Sequence, residues 1–133
     1  MTSATFPATM AGLVEATEYL GRTLDEAGCP VASRTKLMIA MDEIASNIVR
    51  YSGAADFMIE IDFPEDPDAV RVSFSDAGRP FDPLTSKEPD LTLPVEKREV
   101  GGLGLFMVKK MMDNVSYAHE NGRNVLTISK LRS

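Results

Sequence analysis

Glu43 and Asn47, in the stretch DEIASNIVRY, stand four residues apart, the spacing that puts two side chains on one face of an α-helix. Their chemistries complement each other. A carboxylate can accept a proton as a general base, and an amide oxygen can hold a hard cation such as Mg2+, which keeps most of its waters and takes few protein ligands. On a solvated helix face such a pair is also commonplace, so its meaning depends on its company. Arg50, a turn beyond on the same side, could meet an anion. A second element, SFSDAGRPFDP, ends an alternating run on Asp76 and sets Gly78 two residues later. Asp76 is by type a turn former and equally an acceptor for an exocyclic amine such as that of adenine. The third element is VGGLGLFMVKKMMDNV, in which Gly101, Gly102, Leu103 and Gly104 open an amphipathic helical pattern. Glycine in a helix costs about 1 kcal/mol relative to alanine. Bare backbone there suits either a tight turn or a phosphate held by free N–H groups at a helix N-terminus. No Lys-Ser/Thr follows, as a P-loop requires, and no strand precedes, as a dinucleotide-binding fingerprint requires.

These residues must be carried by a small set of elements. Thr9 is an N-cap for a helix running to about Ala27, with apolar Leu13, Val14, Ala16, Tyr19, Leu20 and Leu24. The stretch ATFP before it reads as a short strand halted by Pro7. Gly28 and Pro30 punctuate, and a second helix is predicted from about Val31 to Tyr51, with Leu37, Met41, Ile44 and Ile48 as its core stripe. DFMIEIDF and AVRVSFSD alternate with period two and are joined by an acidic, proline-rich turn. That turn, within DFPEDPDAV, lacks the glycine and terminal glutamate of an EF-hand loop and reads as solvated. From Ala77 to Val100 the pattern dissolves into Gly, Pro and charge, too long a structureless stretch for so small a domain unless it is a functional loop. We assign residues 79–100 as a lid. After the glycine helix, the Asn121-Gly122 pair marks a closing hairpin. The order β-α-α-β-β-lid-α-β-β predicts an α+β fold: a two-layer sandwich with a mixed, mostly antiparallel sheet and its helices on one face.

Composition sets the outer limits. The 133 residues suit one domain with a core of its own. A net charge of −6 argues against a footprint on nucleic acid, and no apolar run approaches the length of a membrane span. The N-terminus shows no signal-peptide pattern, and Cys29, being the sole cysteine, forms no internal disulfide. The expected compartment is the cytoplasm. The one histidine, His119, falls in a predicted strand and reads as structural or solvated.

Glu43-x-x-x-Asn47 on a helix, Asp76-x-Gly78 after a strand, a lid, and Gly101-Gly102-Leu103-Gly104 opening a helix together resemble the N, G1 and G2 boxes of the GHKL ATPase superfamily, whose nucleotide site is the Bergerat fold. The resemblance covers nearly the whole chain. Within the superfamily, TFPA, DAGRPFDP and GGLGLFMVKKMMDNVSY are similar to the bacterial anti-sigma-factor serine/threonine kinases, and the glutamate at position 43 separates this branch from the histidine kinases.

What the resemblance implies can be stated residue by residue. Asn47 would hold Mg2+ against the phosphates of ATP, and Arg50 would touch phosphate. Asp76 would read the adenine amine, with Gly78 letting backbone pass close to the base. Gly101, Gly102, Leu103 and Gly104 would form the phosphate cradle, and Glu43 would act as the base toward a protein Ser or Thr hydroxyl. Three positions depart from the pattern. Pro80 replaces a glycine frequent in the superfamily, as is usual in this branch. Asn124 takes the place of a threonine often found in the last strand. Val100 stands where a lid arginine can precede the glycines, Lys97 and Arg98 being the nearest basic residues. The first functional reading is an ATP-Mg2+-dependent kinase that phosphorylates an anti-anti-sigma (STAS) protein and sequesters a sigma factor, possible as a homodimer. The second, which Val100 motivates, is an ATP-responsive binding switch without phosphoryl transfer.

Overall fold

The computed structural model describes residues 2–80 and 102–132. In chain order the elements are β1 (Thr2–Pro7), α1 (Met10–Glu26), α2 (Val31–Asn47), a π-turn (Ile48–Ser52), β2 (Asp56–Asp62), β3 (Ala69–Asp76), α3 (Gly102–Met111), β4 (Asn114–Glu120) and β5 (Arg123–Leu131). The expected order holds throughout. The lid assigned to 79–100 lies outside the described residues from position 81 onward.

Local signals account for most boundaries. The Thr9 hydroxyl accepts from the Gly12 N–H at 3.0 Å and caps α1. A Cβ at Gly12 would come within 1.8 Å of the Pro7 carbonyl oxygen, so only glycine lets α1 start so close over β1. Asn121 and Gly122, at φ +53° and +76°, make the tight β4–β5 turn.

The sheet runs β1-β2-β3-β5-β4. Every pairing among the described strands is antiparallel, so the sheet is not mixed. The β2–β3 and β4–β5 pairs are hairpins, β3 and β4 lie on either side of β5, and the β1–β2 pair, separated in sequence by α1 and α2, is antiparallel as well. Phe57, Ile59 and Ile61 of β2, Val70, Val72 and Phe74 of β3, and Leu126 and Ile128 of β5 are buried in one cluster with Leu13, Ala16, Leu20 and Leu24 of α1 and Leu37, Met41 and Ile44 of α2. The opposite sheet face is polar; on it the hydroxyls of Ser73 and Thr127 pair at 2.9 Å.

Two expectations are corrected. Val14, read with the apolar set of α1, is 57% exposed because it neighbours Leu13 and projects away from the sheet. The second helix does not run unbroken to Tyr51: its α portion ends at Asn47, and the π-turn adds a residue before Gly53 closes it at φ +74°. Ile48 is accordingly only partly buried against the core. No described helix is long and apolar enough to cross a membrane.

Candidate functional site

Glu43 and Asn47 meet as their spacing predicts. The Asn47 Nδ2 donates to Glu43 Oε1 at 3.2 Å. Because a carboxylate here only accepts, that bond fixes the amide orientation and directs Asn47 Oδ1 the other way. Oδ1 is buried and finds no donor among the described residues. A buried acceptor left unsatisfied costs about 1–3 kcal/mol, a cost that a hard cation at this oxygen would remove. The donor set therefore fits Mg2+, which needs few protein oxygens. Glu43 gives one oxygen to Asn47 and remains half-buried, and no described residue donates to its Oε2.

Asp76 is 4% exposed at the end of β3, in register with Phe57 on one side and Asn124 on the other. Its Oδ1 accepts from the Gly78 N–H at 2.8 Å and from Asn124 Nδ2 at 3.2 Å. No described residue donates to Oδ2, so that oxygen keeps its capacity for an amine from a ligand. Asn124 Nδ2 also donates to the Arg79 carbonyl at 2.8 Å, and the Tyr117 hydroxyl donates to Asn124 Oδ1.

Asn47 and Asp76 are joined through the π-turn. The Ser52 carbonyl at its end accepts from the Arg79 N–H at 3.0 Å, and the Arg79 guanidinium donates to the Tyr51 carbonyl at 2.6 Å. A Cβ at Gly78 would stand 2.3 Å from the Ser52 oxygen and 2.8 Å from Asp76 Oδ1. The sequence reading gave Gly78 a place beside the base. The structure supplies a nearer need, the seating of this turn on the π-turn backbone.

The remaining site residues divide. Arg50 lies on the π-turn, exposed and without a hydrogen bond to any described residue. The wider turn rotates it from the position an unbroken α-helix would give, so it is not simply one turn above Asn47. Gly102 begins α3 and Gly104 follows in its first turn, which places both at a helix N-terminus as expected. Gly101 and Arg98, like Lys97 and Val100, lie outside the described residues. His119 is exposed on β4. Cys29 is buried, and that burial pushes its thiol above the ordinary value.

Two participants escaped sequence reasoning. Arg79 in DAGRPFDP and Tyr117 at the end of GGLGLFMVKKMMDNVSY lie inside stretches the sequence singled out but received no role there, and only the β3–β5–β4 register brings Tyr117 to Asn124. The alternation of β4 could have flagged Tyr117 as facing the helices, but not its partner.

Residues 6–130 match the family model for the histidine kinase-like ATPase domain. A serine-protein kinase RsbW of Listeria monocytogenes is 32% identical over 96 residues, which is 68% of this chain and 61% of that protein. Another RsbW, from Bacillus cereus, is 30% identical over 123 residues, 89% of this chain and 71% of that protein. The chain thus spans 61% of the length of the Listeria relative it matches. Among solved structures, the RsbU and RsbW domains of a Mycobacterium tuberculosis protein superpose with a TM-score of 0.64 at 16% identity, covering 98% of this chain and 32% of that one. The SiaB-SiaC complex of Pseudomonas aeruginosa gives 0.61 at 16% identity, covering 98% and 89%. At such identity these two speak for the fold alone. The family match over residues 6–130, with the RsbW relatives beside it, establishes that this chain belongs to the histidine kinase-like ATPase domain family, in the branch of the RsbW serine-protein kinases.

Proposed function

We propose that this chain is an ATP- and Mg2+-dependent protein serine/threonine kinase of the anti-sigma type, acting on a STAS-type anti-anti-sigma protein and sequestering a sigma factor as a homodimer in the cytoplasm. One observation carries the reading: Asn47 presents a buried amide oxygen with no donor among the described residues, while its other end is held by the carboxylate of Glu43. A merely structural asparagine would have both ends satisfied.

Asn47 Oδ1 would hold the metal, and Asp76 Oδ2 would accept from the adenine amine. Gly102, Leu103 and Gly104 at the start of α3, with Gly101 before them in sequence, would offer backbone N–H groups to the phosphates, and Arg98 and Arg50 would be further cationic contacts. Bound ATP with its metal supplies the phosphoryl group and the neutralisation of its charge. Glu43, its Oε1 anchored to Asn47, would orient the acceptor hydroxyl and take its proton as the phosphoryl group is accepted. Most of the rate gain in such transfers is positioning and electrostatics.

Glu43→Gln separates this role from packing, because a glutamine oxygen can still accept from Asn47. In a radiolabel transfer assay with the cognate antagonist, loss of the base should lower transfer by about 100-fold or more while ATP binding persists. Full transfer by that variant would remove Glu43 from the base role. Val100, before the glycine run, favours a second reading as an ATP-responsive switch; an antagonist whose intact mass does not change with the wild-type protein, ATP and Mg2+ would select it.

A further inference from the structure

Asn124 and Tyr117 have no part in the roles assigned above, yet they surround the carboxylate on which base recognition rests. Asn124 is 7% exposed, and its amide nitrogen meets acceptors of fixed polarity, among them the Gly78 carbonyl at 3.5 Å. Asp76 Oδ1 at 3.2 Å and the Arg79 carbonyl at 2.8 Å can only accept, so Nδ2 must face them. The Tyr117 hydroxyl donates to the opposite end of the amide and so holds Oδ1 in place. In the flipped state the Asn124 oxygen would confront a carboxylate and a carbonyl, three acceptors together without a proton. The Gly78 N–H at 2.8 Å completes the set of donors on Oδ1. Every described hydrogen bond to Asp76 thus arrives at one oxygen, and the other is presented as a pure acceptor with a fixed bearing.

We propose that Tyr117 and Asn124 are positioning residues for base selectivity: they hold Asp76 as a fixed acceptor, so that the site takes a purine bearing an exocyclic amine and rejects one bearing a carbonyl oxygen there. The inference rests on the nucleotide reading above. An inosine base loses the charge-assisted hydrogen bond of the amine and sets a carbonyl against the acceptor in its place. The wild-type protein is therefore expected to prefer ATP over inosine triphosphate by about 30-fold or more.

The test is the ratio of Kd values for these two nucleotides, measured calorimetrically with Mg2+ on the wild type, Tyr117→Phe and Asn124→Asp, beside the melting temperature of each apo protein. Tyr117→Phe deletes one hydroxyl at a half-buried position and tests the idea even if the buried Asn124→Asp substitution prevents folding. It should narrow the ratio about fivefold, through weaker ATP binding with inosine triphosphate affinity retained. Asn124→Asp should take the ratio close to one, because two touching carboxylates share a proton and can then donate as well as accept. A general loosening of the fold would weaken both nucleotides alike and leave the ratio where it was. Folded variants with the wild-type ratio would overturn the positioning role alone. A wild type that binds both nucleotides equally, or neither, would overturn the nucleotide reading together with this inference.

Discussion

The two ends of the site are built on opposite plans. At the Asp76 end the groups around the carboxylate are paired: Gly78 and Asn124 converge on one oxygen, Tyr117 holds the amide of Asn124, and Arg79 ties the turn to the π-turn, while the buried Arg123 Nε beside Ser75 is the one donor there without a partner among the described residues. At the Asn47 end a buried oxygen has no donor among the described residues, at the close of an α-helix that widens into a π-turn in the next residue. A satisfied network specifies one geometry, whereas an unsatisfied group stores a cost that a ligand can relieve. On the proposed reading the Asp76 end is preorganised for a base, and the Asn47 end carries a deficit that a metal ion would relieve. π-turns within α-helices occur often at such positions, where a side chain must be re-aimed at some cost in regular structure.

The largest effect should come from breaking the satisfied end. With ATP at a hundredfold its Kd, binding stabilises the wild type by about 2.7 kcal/mol, several degrees in a thermal scan. Asp76→Asn should lose most of that shift. The amide oxygen of the substituted side chain would still accept from Gly78 and Asn124, which turns its NH2 toward the ligand, where a donor would face the donor amine. Retention of the full shift would show that Asp76 does not read the base.

Next comes the link between the ends. Gly78→Ala drives a methyl to 2.3 Å from the Ser52 carbonyl, which as backbone cannot move aside without disturbing the π-turn. A loss of about 2 kcal/mol in chemical denaturation is expected, in the range of overpacked sites. If alanine is tolerated without loss, the turn is not seated on Ser52 as described.

How much of this was legible in the sequence follows from how local each feature is. The Thr9 cap, the Asn121-Gly122 turn and the Glu43–Asn47 contact are set within four residues of chain, and the sequence predicted all three. The order of elements followed from hydrophobic period together with cap, Gly/Pro and Asn-Gly turn signals. The π-turn did not, because the groups that secure it, Gly78 and Arg79, come from a turn 26 or more residues away and leave no mark in the helical pattern of 31–51. The pairing of Tyr117 with Asn124, and of Asn124 with Asp76, depends on strand register across three strands, which side-chain alternation fixes only to a face. Uniform antiparallel pairing was likewise a matter of sheet order, invisible until β5 was seen between β3 and β4.

The smallest effect belongs to a carboxylate outside the site, which serves as a control on Asp76. Asp113 Oδ2 accepts from the Leu131 N–H at 2.7 Å and from Lys130 Nζ at 3.1 Å, and the backbone donor first, then the lysine, hold its pKa below the ordinary carboxylate value. A group with a depressed folded pKa contributes stability above its unfolded pKa and loses it as pH falls through the folded one. Exposure limits the size. Asp113→Asn should cost less than about 1 kcal/mol at neutral pH, and the difference from wild type should vanish in acid below the normal carboxylate range. A difference that persisted there would mean that the charge of Asp113 is not what stabilises the β5 terminus.

The central claim is that the Asn47 oxygen, which has no donor among the described residues, exists for a metal ion, and calorimetric titration of ATP with and without Mg2+, on the wild type and on Asn47→Ala, tests it most directly. The wild type should bind ATP more tightly with Mg2+. Asn47→Ala should bind with an affinity indifferent to Mg2+ and keep the wild-type preference for ATP over inosine triphosphate. Its apo form should melt no lower than the wild type, because removing the unsatisfied oxygen offsets the lost bond to Glu43. An Asn47→Ala protein whose ATP affinity responds to Mg2+ as the wild type's does would contradict the account.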